Sequence, residues 1–230
     1  MPEVLAEPLW DLSEAIENLV TEDDEAVDNI FSAKQQRLLT EILYSSWHPV
    51  SDEKTASPRQ FFTDANVGVF FSVHEPPLVP DVFISLDVTA PSNLLAKTSR
   101  SYLLWEFGKV PEVVVEIVSN KEGGELDHKL KAYARKGIYY YIVFDPMRLL
   151  SDDVLRVYEP GLLNHYRRRE DFRLPDLNLG LVLWQGEFEG TSAEWLRWTD
   201  ENNNLLLTGI ERAERLANKL RELGINPNEI

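Results

Sequence analysis

The strongest constraint on the fold is the run Val113-Val114-Val115-Glu116-Ile117-Val118, a β-branched stretch broken by one carboxylate. An unbroken apolar run of this kind is the signature of a strand covered on both faces. The segment after it, from Glu125 to Lys136, repeats Leu126, Leu130 and Tyr133 at helical spacing and stops at Gly137, a residue suited to the left-handed turn that ends helices. Ile138 to Phe144 (IYYYIVF) then reads as another strand, closed by Asp145-Pro146. Strand, helix and strand within about thirty residues form a parallel crossover unit, which predicts an α/β fold.

The other segments fit around that unit. Lys34 to Trp47 places Leu38, Leu39, Ile42 and Leu43 on one side, predicting a helix that ends before Pro49. A polar loop with Pro58 leads to a strand over Val67–Val73, bounded by Glu75-Pro76-Pro77, and a further strand covers Val82–Leu86. Short strands at Leu155–Tyr158, His165–Arg168, Leu181–Gln185 and Trp195–Trp198 predict an antiparallel continuation. The tail from about Leu205 to Leu223 reads as a helix with the stripe Ile210, Ala213, Ala217 and Leu220, stopped by Gly224 and Pro227. The division expected is an acidic extension over 1–33, a core domain over 34–200 and a helical tail over 201–230.

Glu116 is the anomaly in this pattern. An ionised carboxylate inside a doubly covered strand costs several kcal/mol unless a cation or hydrogen-bond donors compensate it. Either a metal or a basic side chain must meet it, and the carboxyl end of such strands is where open α/β sheets place their sites. Asp81, between Pro80 and the apolar run Val82–Leu86, is the natural companion. Two converging carboxylates hold Mg²⁺ or Mn²⁺, which prefer hard oxygen ligands. The plainer alternatives are a strand-opening role for Asp81 and a structural ion pair for Glu116. Lys129 lies at the edge of the Leu126–Leu130–Tyr133 stripe and can reach the sheet end; its plainer reading is an i,i+4 pair with Glu125. Lys121 is the other nearby cation.

Composition narrows the chemistry. The chain has no cysteine, which excludes disulfides, thiolate metal sites and cysteine nucleophiles. No apolar run approaches the ~20 residues that span a bilayer, and the N-terminus has no basic region ahead of an apolar stretch, so the expected location is cytoplasmic. The net charge of −16 argues against a nucleic-acid partner, but ten of the acidic groups fall in residues 1–33, which hold no Lys or Arg. The remaining 29 acidic and 23 basic residues leave room for a local basic patch. In the extension, Leu9, Leu12, Ile16 and Leu19 suggest a short amphipathic helix, and 22–25 a solvated linker.

Taken together, PDV (80–82), PEVVVEIVS (111–119) and KLKAYARKGIYYYIVFDP (129–146) resemble the Uma-type putative restriction endonucleases of the PD-(D/E)xK nuclease superfamily, over roughly Lys34 to Trp198. The resemblance implies a restriction-endonuclease-like core: a mixed central sheet flanked by helices, here with a C-terminal helix. It implies that Asp81 and Glu116 bind Mg²⁺ or Mn²⁺, with the backbone carbonyl of Ile117 as a further ligand, and that Lys129 is the active-site lysine. Two residues after Glu116, where the superfamily's usual lysine would stand, this chain has Val118; in this family the lysine is thought to have migrated to the helix. The implied activity is metal-dependent hydrolysis of DNA. The alternative is a degenerate nuclease fold acting as a binding or assembly module, with a homodimer through the C-terminal helix or a sheet edge as one form.

Weaker candidates complete the reading. Asp87 shares a strand face with Asp81 by alternation, and is either a second acidic ligand or a strand-end residue. Glu41, on the first helix, is a candidate site glutamate despite its outward direction; Gln35 and Gln36 receive no role. The histidines 48, 74, 128 and 165 lack metal-ligand spacing. Arg167-Arg168-Arg169 is either a phosphate contact or a solvated strand edge. Gly123-Gly124 reads as a turn before a helix.

Overall fold

The computed structural model describes residues 29–49, 59–121 and 124–227. The acidic segment with its amphipathic helix and linker, the loop carrying Pro58, and Gly123 lie outside them.

The chain forms a mixed α/β fold around one six-stranded sheet. Helix α1 (Ile30–Ser46) is followed by β1 (Phe61–Ala65), β2 (Val69–Phe70), β3 (Val82–Leu86), β4 (Tyr102–Leu103), the single-turn α2 (Leu104–Phe107) and β5 (Val113–Ile117). Next come α3 (His128–Lys136), β6 (Tyr140–Phe144), β7 (Leu155–Pro160) and β8 (Tyr166–Arg168). The chain closes with β9 (Arg173–Leu174), β10 (Leu179–Phe188), β11 (Thr191–Thr199) and α4 (Gly209–Glu222). The main sheet runs β1-β3-β5-β6-β7-β8, with β5 and β6 parallel and every other neighbouring pair antiparallel. The β5–α3–β6 crossover expected from the sequence is therefore the centre of the molecule.

Alternation along the central strands sorts two cores. Val113, Val115 and Ile117 of β5, with Val82, Ile84 and Leu86 of β3, face α1 and the small β9–β11 sheet. Val114 and Val118, with Phe83, Tyr141 and Val143, face the other way, towards Tyr133 of α3. Every residue of β3, β5 and β6 is buried, and each fully buried valine or isoleucine contributes about 1.5–3 kcal/mol. Glu116 points to the second face, where α3 covers it.

Several boundaries differ from the expectation, for identifiable reasons. Helix α1 begins at Ile30, not Lys34, because the Asn29 side chain accepts the Ser32 N–H at 2.9 Å and caps it. Phe31 is thereby brought into face-to-face stacking with Trp195. Helix α3 begins at His128; Glu125 to Asp127 form the turn before it. Strand β1 falls where no strand was expected, and the predicted Val67–Val73 strand shrinks to Val69–Phe70. Both are short edge elements whose pairing comes from distant partners, β1 from β3 and β2 from β4. Helix α4 carries a complete capping box between Thr208 and Glu211, yet none of its residues is buried, so its apolar stripe is not part of the core. Among the described residues no helix is long and apolar enough to cross a membrane.

Candidate active site

Antiparallel pairing of β3 with β5 sets Val82 opposite Val115. This register brings the residue before β3, Asp81, to the carboxyl end of β5, where Glu116 and Ile117 lie. The Ile117 N–H donates to Asp81 Oδ2 at 2.5 Å. A strand residue directs its N–H and C=O to the same edge, so the Ile117 carbonyl faces the Asp81 side as well. Gln36 of α1 donates its Nε2 to Asp81 Oδ1 at 2.8 Å and exchanges hydrogen bonds with Asn66. Asp81 is thus fixed from two directions.

Glu116 is 2% exposed, and donors from α3 compensate it. Lys129 Nζ donates to its Oε2 at 2.7 Å, and the Tyr133 hydroxyl donates to its Oε1 at 2.8 Å. Lys129 and Tyr133 are one helical turn apart, which puts both on the face of α3 that covers β5. Glu125, in the turn before α3, brings a third carboxylate: its Oε1 lies 3.4 Å from Lys129 Nζ. Its backbone carbonyl accepts the Tyr141 hydroxyl at 2.9 Å. Glu125 is 5% exposed, and its Oε2 has no hydrogen-bond partner among the described residues.

The electrostatics follow from this packing. Burial pushes the Glu116 carboxyl up to about 7; Lys129 pulls it down and the Asp81 charge pushes it up. Burial works against the Lys129 ammonium, but Glu116, Glu125 and Asp81 more than reverse this and leave its pKa above the ordinary lysine value. Burial, reinforced by Glu116, holds the Tyr133 hydroxyl well above the tyrosine range. The lysine is therefore a stable cation, whereas the glutamate changes charge near neutral pH. Among the described residues, three largely buried acids stand around one half-buried base.

The donor set suits a hard divalent cation: two carboxylates at one strand end, one carbonyl turned to the same edge, and an excess of negative charge. No group of three or more Asp, Glu or His side chains gathers at metal-binding distance among the described residues. An ion held here would rest on Asp81, Glu116 and the Ile117 carbonyl and keep several waters, as Mg²⁺ commonly does.

The structure thus brings Asp81, Glu116, Ile117 and Lys129 together, and it sends the weaker candidates elsewhere. Asp87 follows β3 at its far end and makes a two-pronged pair with Arg59, each contact 2.7 Å. Glu41 Oε1 accepts the Gly209 N–H at 2.6 Å and so secures the start of α4. Gln35 clamps Leu196 of β11 through its N–H and C=O. Arg167 and Arg169 pair with Glu159, and Arg168 with Asp153, on the edge strand β8. Lys121 lies exposed in the loop beyond β5. Val118 is fully buried, and its N–H donates to the Phe144 carbonyl at 2.8 Å, so a lysine there would have had to displace core packing.

Sequence reasoning missed Gln36, Tyr133 and Glu125 as members of the site. For Tyr133 and Glu125 a signal existed: each is four residues from Lys129. Gln36 had none, because its contact with Asp81 crosses 45 residues of chain.

No curated protein matches the chain. Residues 26–187 match the model of the Uma2 family, described as putative restriction endonucleases. Because that span takes in every group of the site, from Gln36 to Tyr133, the chain belongs to the Uma2 family.

Proposed function

We propose that the protein is a metal-dependent endonuclease that hydrolyses DNA phosphodiester bonds at the Asp81–Glu116–Lys129 site. The observation that carries this reading is the 2.7 Å contact between Lys129 Nζ and Glu116 Oε2, made beside an Asp81 that is held by the next backbone N–H. A structural ion pair alone would need one acid per base; here, among the described residues, the lysine is outnumbered and the buried glutamate is pushed up to about 7, as groups in working sites often are.

In this reading Asp81, Glu116 and the Ile117 carbonyl hold Mg²⁺ or Mn²⁺. When bound, the cation supplies the charge that polarises a phosphate oxygen and acidifies an attacking water. Gln36 and the Ile117 N–H keep Asp81 aimed at the strand end, and Tyr133 fixes the Glu116 carboxylate. The Lys129 ammonium offsets the negative charge that grows on the phosphate during displacement. Val118 packs the strand.

The test is calorimetric titration with Mn²⁺ beside cleavage of plasmid and linear DNA in Mg²⁺ or Mn²⁺. The wild-type protein is expected to bind the ion and cut DNA, with Asp81→Ala and Glu116→Ala losing both. Mn²⁺ affinity unchanged in both variants, with no cleavage by the wild type, would overturn the reading in favour of a binding or assembly module on the same fold.

A further inference from the structure

Glu125 lies deeper than a surface helix pair requires. It is almost wholly buried, its Oε1 is 3.4 Å from Lys129 Nζ, and its Oε2 is unpartnered among the described residues. A buried carboxylate oxygen without a donor is costly, and in a native fold it needs a reason. Its main chain is also pinned: the carbonyl accepts the Tyr141 hydroxyl from β6, so the side chain is presented to Lys129 from a fixed point.

Lys129 has the complementary problem. Its closest contact is Glu116 Oε2, one of the two carboxylates that would hold a cation. An ammonium and a divalent ion cannot share that oxygen without strong repulsion. Engaging the ion therefore requires Lys129 to give up Glu116, and a half-buried ammonium that lost its closest counter-charge without a replacement would oppose binding. The Glu125 carboxylate, already 3.4 Å from the same ammonium through its Oε1, has a second oxygen to offer.

We propose that Glu125 is a positioning residue, the second seat of the Lys129 ammonium, which it receives when a divalent cation takes Glu116. The inference rests on the metal-site reading above and gives Glu125 a role distinct from ligation. The contact seen at 3.4 Å is the weaker arm of a two-seat arrangement whose stronger arm is Glu116. Charge is conserved in the exchange: the lysine keeps its proton and changes partner.

The experiment measures Mn²⁺ affinity by calorimetry on the full chain and a mutant cycle. Glu125→Gln keeps size and hydrogen bonding but removes the counter-charge, and is expected to weaken Mn²⁺ binding about 10- to 100-fold, the usual effect of losing a partner behind the ligands. Lys129→Met removes the group that must be relocated; in that background Glu125→Gln is expected to have no further effect. Glu125→Asp, which restores the charge with a shorter reach, should recover part of the affinity. Melting curves identify any variant that has not folded, in which case the Asp variant and its Lys129→Met pair complete the comparison. A Glu125→Gln protein with wild-type Mn²⁺ affinity overturns the proposal. So does a loss that persists undiminished in Lys129→Met, because Glu125 would then act on the ion directly. If instead Asp81→Ala and Glu116→Ala leave Mn²⁺ affinity untouched, the metal-site reading itself has failed.

Discussion

The two ends of the β3–β5 strand pair both bring carboxylates to cations, but they do so in different ways. At the far end, Asp87 pairs with Arg59 and Glu112 with Lys109, and all four side chains are partly open to solvent. Arg59, Lys109 and Glu112 border a cavity of about 390 Å³ lined also by Tyr139, Tyr140 and Asp176. At the near end, Asp81, Glu116 and Glu125 share one lysine, and Glu116 is sealed from water. Judged by charge balance and burial, the near end stands apart: its sealed Glu116 carboxyl is pushed up to about 7, and groups so perturbed often mark working sites. An ion pair or a cavity is a poor marker of chemistry by itself; an acid excess in a dry place is a better one.

That contrast can be broken most directly at Lys129. Lys129→Met is expected to lower DNA cleavage by about 10²–10³-fold, the usual loss when a group stabilising developing negative charge is removed. Lys109→Met at the far end should leave it within twofold of wild type. Equal losses from both substitutions, measured as initial cleavage rates, would erase the distinction between the ends.

A stability measurement sharpens it. The folded protein holds the Glu116 proton up to about 7, whereas the ordinary value is 4.5, so ionising Glu116 costs stability as pH rises through that window. Glu116→Gln abolishes the cost. Its stability relative to wild type should therefore climb between those two pH values by ~1–3 kcal/mol. Lys129 stays charged throughout and contributes only a constant offset. Urea unfolding at a series of pH values gives the difference; a flat profile would mean that Glu116 is not held neutral by burial.

The smallest effect belongs to the far end. Asp87→Asn breaks an exposed two-pronged pair with Arg59 and should cost only ~0.2–1 kcal/mol in urea unfolding, with Mn²⁺ affinity unchanged. A larger cost, or any change in metal binding, would show that the far end is coupled to the site.

How much was legible beforehand differs between elements. The central crossover was plain because β5 and β6 are covered on both faces and α3 has a clear apolar stripe and a glycine stop; periodicity reports burial, and burial here is complete. Strand β1 was not, because an edge strand takes its register from its partner and FFTDA has little pattern of its own. Asp87 shows the same limit within the site. Alternation gave the face its side chain would share with Asp81, but six residues at about 3.3 Å each separate the two by the length of the strand. Period-two reasoning fixes a face and is silent about which end the chemistry occupies.

By itself, then, the sequence determined that a lone glutamate sits in a doubly covered strand ahead of a crossover helix, that Asp81 opens a neighbouring strand, and that Lys129 lies at the edge of that helix's apolar stripe. These are local facts, set by side-chain period and by the cost of a buried charge. Only the tertiary structure decided that Asp81 is held by the backbone of Ile117 and by Gln36, that Tyr133 is a donor as well as a core residue, and that Glu125 turns inward to Lys129. Those contacts depend on strand register and helix placement, which arise from packing across the whole sheet and leave no mark on the few residues around each group.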